Sequence, residues 1–378
     1  MKMVLFTSGI FFLISYAFYN ILTISEYFKE IKESELSTDK CLKINSRLPI
    51  EDFVKYNDEY LIGASAHYHT LQKFIPKGQI NKGTMVSFNL KTNQLQELPI
   101  NNFPEGVPFF PHGIDLFNKE YIYIINHSFT EQFSERVEVV KIISSPLSLD
   151  YVKSFVLPLS FTGTLNSIGV IEEDNFYFST YKSSTPLQTG NPIIDYARTV
   201  YSKYIRFVQV LFNFKMTHLY NYNRGTIKVV PGTKSLVGNG IAYIPSRRLL
   251  YFAQTLEKQI FLFKVSDDKK TINLQKIIKL DYAIDNLFFD PKTEKISVGI
   301  IGKVFNYVKY STQALNKEKV EYDEVYGGLV EIDTKKNDSV VYVNIIKGQL
   351  RGISSGFRNN NKVYYVSPEE SGILICKA

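Results

Sequence analysis

Six short stretches of this chain put a polar side chain among small or apolar neighbours just ahead of an apolar run: Glu51-Asp52, His112-Gly113, Asn166-Ser167, Asn239-Gly240, Asp285-Asn286 and Ser354-Ser355-Gly356. Glu51, Asn166, Asn239, Asp285 and Asn286 all carry oxygen donors, two of them anionic. That donor set suits a hard divalent cation and balances its charge, which points to Ca2+. Zinc prefers nitrogen or sulfur ligands, and neither dominates here. Taken one at a time, each Asn or Asp reads as a turn residue, so the argument rests on all of them sharing one position in a repeat.

The repeat supplies the elements that would position them. Each stretch opens an apolar strand, followed by a polar turn and an aromatic-rich strand about ten residues on, as in His112-Gly113-Ile114 with Tyr121-Ile122-Tyr123 or Asn239-Gly240-Ile241 with Leu250-Tyr251-Phe252. Turn-forming pairs such as Asn57-Asp58, Asn118-Lys119 and Pro291-Lys292 separate the strands, which is hairpin chemistry. The copies begin at positions 51, 112, 166, 239, 285 and 354, a spacing suited to a four-stranded sheet with its loops. Six such sheets in a ring predict an all-β, six-bladed β-propeller, whose innermost strands bring equivalent positions to one central channel. A β-sandwich with chance similarity is the competing architecture. The abundance of Tyr (26) and Phe (28) against 4 Met favours strands in either case.

Three segments stand outside the repeat. Residues 1–40 hold Lys2, an apolar run from Val4 to about Ile24 and a charged stretch from Glu26 to Glu35. They read as a secretory signal, either cleaved or kept as a membrane anchor, and leave 41–378 as the propeller domain. Within 192–218, Ile193, Ile194, Ala197, Val200, Tyr201, Tyr204, Ile205 and Val208 recur at helical spacing with Arg198, Lys203 and Arg206 between them. This predicts an amphipathic helical insertion, either a membrane-surface helix or a lid over the propeller. The two cysteines, Cys41 and Cys376, flank the domain, and in an oxidising compartment they would pair and close the ring. The net charge of +7 comes from scattered Lys and Arg rather than a basic run, so nucleic acid is not an expected partner.

Together, Phe110-Pro111-His112-Gly113-Ile114, Asn126-His127, Leu165-Asn166, Gly238-Asn239-Gly240-Ile241, Ile284-Asp285-Asn286 and the terminal cysteines resemble the paraoxonase and arylesterase family over nearly the whole chain. The resemblance implies a calcium-dependent propeller that hydrolyses lactones and aryl esters, a small apolar substrate, and attachment to a membrane or lipid surface or secretion from the cell. By position it makes Glu51, Asn166, Asn239, Asp285 and Asn286 the ligands of a catalytic calcium. His112 becomes the residue that handles the proton of the attacking water, with His127 behind it. A second calcium would use Asp52 and the carbonyl of Ile114, but Ser167 stands where the family pattern has an acid. His67 and His69 fall at the rim.

A non-catalytic propeller that binds a ligand or protein is the alternative function, distinguished by turnover. Of two glycosylation sequons, Asn337-Asp338-Ser339 in a polar turn is favoured over Asn126-His127-Ser128. Gly352-Ile353-Ser354-Ser355-Gly356 fits a nucleophile-elbow pattern, yet it needs a following helix and a later histidine, and the last histidine is His218.

Overall fold

A computed structural model describes residues 14–24, 26, 28–32, 41–68, 83–128, 135–161, 163–183, 191–316, 325–348 and 350–378. The Val-, Ile-, Tyr- and Phe-rich runs form largely antiparallel meanders in which neighbouring strands are joined either by tight turns, as at 245–248, or by longer segments, as at 181–218. One meander comprises β1 (Leu42–Lys55), β2 (Tyr60–Ser65), β3 (Thr84–Asn89) and β4 (Leu95–Leu98); β5 (Ile100–Asn101) joins the next, β6 (Pro111–Phe117), β7 (Tyr121–Asn126), β8 (Arg136–Ser144) and β9 (Leu147–Val156). Two four-stranded sheets follow. The first is β10 (Leu165–Glu172), β11 (Asn175–Thr180), β12 (Leu219–Asn223) and β13 (Thr226–Val229). The second is β14 (Gly238–Ile244), β15 (Leu249–Gln254), β16 (Gln259–Val265) and β17 (Ile272–Lys279). The chain ends with β18 (Ala283–Asp290), β19 (Lys295–Gly302), β20 (Tyr326–Asp333) and β21 (Ser339–Lys347), then β22 (Ser355–Asn359), β23 (Lys362–Val366) and β24 (Ser371–Lys377).

The arrangement is all-β and propeller-like. Hydrogen bonding groups the described strands into five sheets rather than six separate ones, because β1 serves two partners. Its first half pairs with β24 (Leu42 with Ile375, Ile44 with Ile373) and its second half with β2 (Phe53 with Gly63, Lys55 with Leu61). The innermost strands touch in the order β1, β6, β10, β14, β18, β22 and back to β1. The Cys41–Cys376 disulfide lies just beyond the β1/β24 pairing and ties the two ends together.

Burial follows from this layering. Inner strands are covered on both faces and read as continuous apolar runs: every residue of β14 is buried, whereas the outermost β17 is mostly exposed. Apolar cores fill the spaces between sheets. One places Phe176 stacked on Tyr222 (4.6 Å) and edge-on to Phe155 (5.3 Å), and each buried aromatic of this kind contributes about 1.5–3 kcal/mol.

Among the described residues, three α-helical segments and a short 3-10 turn (Leu159–Phe161) sit outside the sheets. Residues 14–24 are helical; the start of the apolar N-terminal run, with the rest of residues 1–13, lies outside the described residues, and among those described no helix is long and apolar enough to cross a membrane. Helix α1 (Pro192–Phe212) starts where the Asn191 side chain accepts from the Ile193 and Ile194 N–H groups. It stops at Asn213, which adopts the left-handed conformation, so the helix ends short of residue 218; Thr217 and His218 already bond to the sheet. Helix α2 (Val304–Asn316) follows β19. The N-terminal helix is held in place by Asn20, whose amide donates to Leu211 O (3.2 Å), and by buried Glu26, which pairs with Lys29 (3.1 Å) and Lys258 (2.6 Å).

Candidate active site and metal centre

In five successive inner-strand pairings the register slips at the same place. The shifts fall between Ile50 and Asp52, Pro111 and Ile114, Leu165 and Ile168, Gly238 and Ile241, and Ile284 and Leu287. The residues inside those bulges are Glu51, His112-Gly113, Asn166-Ser167, Asn239-Gly240 and Asp285-Asn286. In a regular strand consecutive side chains point to opposite faces; a bulge re-aims them and ends local pairing. The device explains how residues as close as Asp285 and Asn286 can both serve one centre. It also explains the glycines: a Cβ on Gly113 would lie 2.2 Å from Asn166 O, and one on Gly240 would lie 2.4 Å from Leu287 N, so only glycine lets adjacent inner strands approach this closely.

The polar groups brought together are buried and under-satisfied. Oδ1 of Asn166, Asn239 and Asn286 and Oε2 of Glu51 accept no hydrogen bond, although such buried oxygens nearly always do. Asn286 donates to Glu51 Oε1 (2.7 Å), linking two of these residues across the ring. Burial, and then the charge of Glu51, pushes the Asp285 carboxyl well above the usual range. An oxygen-lined site with excess negative charge and unused lone pairs fits a hard cation. Three of the five donors are amides, and among the described residues no trio of His, Cys, Asp or Glu gathers into a metal cluster.

The second position differs. Asp52 Oδ1 accepts from Phe53 N (2.9 Å) and Oδ2 faces Ile114 N (3.4 Å), while Ser167 Oγ accepts from Ile241 N (3.0 Å). One carboxylate with backbone donors on both oxygens and a hydroxyl already bonded to the next strand do not fit a second calcium.

Beside the first position stand the two histidines. His112 Nε2 lies 3.5 Å from Glu51 Oε1; His112 Nδ1 lies 2.9 Å from His127 Nε2 and 3.3 Å from Leu165 O. Behind them is a residue that the sequence reading missed. Glu135 is fully buried, its Oε1 lies 2.6 Å from His127 Nδ1, and its Oε2 accepts from Gly163 N (3.1 Å). Burial lowers the His127 imidazole well below its ordinary value, with His112 adding to the effect, and raises Glu135 to about 8. The rings of Phe110, Tyr68 and Tyr181 pack against the pair at 5.3–6.1 Å, forming an apolar wall.

Other expectations resolve differently. His67 is exposed and His69 lies outside the described residues; Tyr68 between them is the buried neighbour of His112, its hydroxyl donating to Pro111 O (2.8 Å). Asn126 is fully buried and its amide donates to Pro108 O and Glu138 Oε1, both at 2.9 Å, which leaves no room for a glycan. Strand β22, not a helix, follows Ser354, whose hydroxyl donates to Glu51 O (2.5 Å).

Known proteins are similar to this chain over much of its length. Serum paraoxonase/lactonase 3 of Oryctolagus cuniculus is 26% identical over 287 residues, 75% of this chain and 73% of that protein. Serum paraoxonase/arylesterase 2 of Bos taurus is 26% identical over 223 residues, 57% of this chain and 55% of that protein. Among solved structures, a luciferin-regenerating enzyme superposes with TM-score 0.48 at 9% identity, over 89% of this chain and 95% of the other. A gluconolactonase from Xanthomonas campestris superposes with TM-score 0.47 at 9% identity, over 92% and 95%. These overlaps are too weak to carry an argument. The family model described as Arylesterase matches residues 57–316, a span that takes in His112, Asn166, Asn239 and Asp285-Asn286, and on that match the chain belongs to the arylesterase family.

Proposed function

We propose that this chain is a calcium-dependent hydrolase of lactones and aryl esters, acting at the channel where the inner strands of a propeller meet. One observation supports the reading: buried oxygens of Glu51, Asn166, Asn239 and Asn286, at the bulges of β1, β10, β14 and β18, have no partner, Asn286 bonds Glu51, and Glu51 borders a hydrogen-bonded histidine pair. Glu51, Asn166, Asn239, Asp285 and Asn286 would hold the ion. When bound, calcium polarises an ester carbonyl and steadies the oxyanion that forms from it. His112 takes the proton of the attacking water, and His127 orients it through the 2.9 Å contact. Tyr68, Phe110 and Tyr181 shield the pair from bulk water and offer an apolar surface to an aryl or alkyl group.

The wider setting belongs to the same proposal. Counting the seven-stranded sheet as two blades clasped by β1 gives six, which the closed order of inner strands supports. Residues 41–378 then form the hydrolase domain and residues 1–40 a signal or anchor. Exposed apolar side chains on the N-terminal helix (Ile14, Phe18, Tyr19) and on α1 (Ile193, Tyr201, Phe207) support seating on a membrane or lipid surface. The disulfide supports an oxidising, secretory setting, and exposed Asn337 is the glycan acceptor of that setting.

A panel of lactones and aryl esters, run with and without calcium, tests the reading. Turnover that needs the ion upholds it; a folded, calcium-loaded protein without turnover is a binding module.

A further inference from the structure

We propose that Glu135 is the terminal proton acceptor of a Glu135–His127–His112 relay, so that the proton taken from the attacking water ends on a buried carboxylate two imidazoles away. The inference rests on the hydrolase reading above and deepens it by assigning a residue that neither the repeat nor the resemblance marks.

One protonation pattern satisfies the hydrogen bonds linking Leu165 O, His112, His127 and Glu135. Leu165 O can only accept, so the His112 Nδ1 that faces it at 3.3 Å carries the hydrogen. His127 Nε2, 2.9 Å from that same Nδ1, is then the bare acceptor. The hydrogen of His127 therefore sits on Nδ1, from which it donates to Glu135 Oε1 at 2.6 Å. With that pattern the free lone pair is on His112 Nε2, the atom next to Glu51 Oε1 and the metal position. If Glu135 were the donor, both rings would reverse, His112 Nε2 would carry a hydrogen, and the base would be lost. Glu135 thus sets the tautomer of a ring it does not touch.

The same contacts conduct a proton in the productive direction. As the water oxygen bonds to the ester carbon, its proton goes to His112 Nε2, the Nδ1 hydrogen of His112 passes to His127 Nε2, and the Nδ1 hydrogen of His127 passes to Glu135. When the C–O bond to the leaving group breaks, the transfers run backwards and the leaving oxygen is protonated; no oxidant or further reactant enters. An imidazolium at His127 is disfavoured by burial and by its neighbour His112. A neutral Glu135 is favoured, since burial raises its carboxyl to about 8. The titratable and charged groups facing it are His127, His112 on β6, and Lys182 and Tyr181 beyond β11, with Arg206 of α1 acting on the last two.

The test uses the full chain loaded with calcium. In protein labelled with 15N-histidine, nitrogen shifts should report Nδ1–H and a bare Nε2 for both His112 and His127; the reverse tautomers would overturn the relay. In kinetics on an aryl ester, E135Q should lose on the order of 10²-fold in kcat with KM within about twofold. Its rising limb of kcat/KM should move down by at least about one pH unit, because the group that must be ionised is gone; E135D should restore the limb, and K182M, which removes a cation that lowers the Glu135 carboxyl, should move it up rather than down. A uniform loss at every pH with the limb unmoved would make Glu135 a structural prop and end the proposal. Absence of turnover in the wild type would overturn the hydrolase reading and the relay with it, whereas turnover with reversed tautomers or an unmoved limb overturns the relay alone.

Discussion

Replacing Cys41 and Cys376 together by alanine removes a cross-link that closes a loop of 335 residues. The native ring has another clasp at the same seam, since Leu42, Lys43 and Ile44 pair with Ile375, Leu374 and Ile373. The disulfide therefore acts mainly on the unfolded chain, whose freedom it restricts, and for a loop of this length the chain-entropy relation gives at most about 6 kcal/mol, with about 3 kcal/mol as a realistic lower figure. With an unfolding entropy of ~2.1 cal/mol/K per residue over 378 residues, that range corresponds to a fall in Tm of ~4–8 °C. Thermal melts of wild type and double variant at saturating calcium measure it, alongside turnover at 25 °C. The expected result is a lower Tm with turnover unchanged. An unshifted Tm would refute the loop-entropy argument, and lost turnover at 25 °C would show that the disulfide, not the β1/β24 pairing, holds the native seam.

Three further outcomes follow from the site. Native mass spectrometry should find one calcium per chain, lost in Asp285→Ala; a second tightly held ion would contradict the reading of Asp52 and Ser167. His112→Gln should lose roughly 10²–10⁴-fold in rate with calcium stoichiometry intact, and His127→Gln should lose less; equal rates for both variants and wild type would remove the histidine pair from the chemistry. Gly113→Ala places a methyl 2.2 Å from Asn166 O and 2.7 Å from the Ser167 Cα; because both are backbone atoms that cannot swing aside, we expect a loss of at least ~1–3 kcal/mol in denaturant unfolding, and an unchanged midpoint would refute the close approach of β6 and β10.

The positions at the bulges of the inner strands were legible because successive inner strands begin with the same local pattern. Backbone register was not. No residue type announces that the ladder slips at Glu51 or at Asp285-Asn286, since a bulge is a property of two paired strands, and only Gly113 and Gly240 hint at it. Glu135 was invisible for another reason: it follows His127 by eight residues, belongs to no repeat, and gains meaning only when β7 and β8 fold back to back. Tyr68, flanked by more conspicuous histidines, was passed over because a tyrosine in an apolar run reads as core, which it also is. The shared strand β1 hid in the same way, its 14 residues reading as one strand while pairing as two halves.

The central claim is that oxygens from four strands hold an ion without which the ester carbonyl is not activated. Its most direct test is to strip the protein with a chelator, confirm by circular dichroism that it is still folded, and titrate calcium back while following hydrolysis of an aryl ester. The account predicts negligible turnover in the stripped protein and a saturable return that tracks one bound ion per chain. Undiminished hydrolysis by the stripped, folded protein would contradict it.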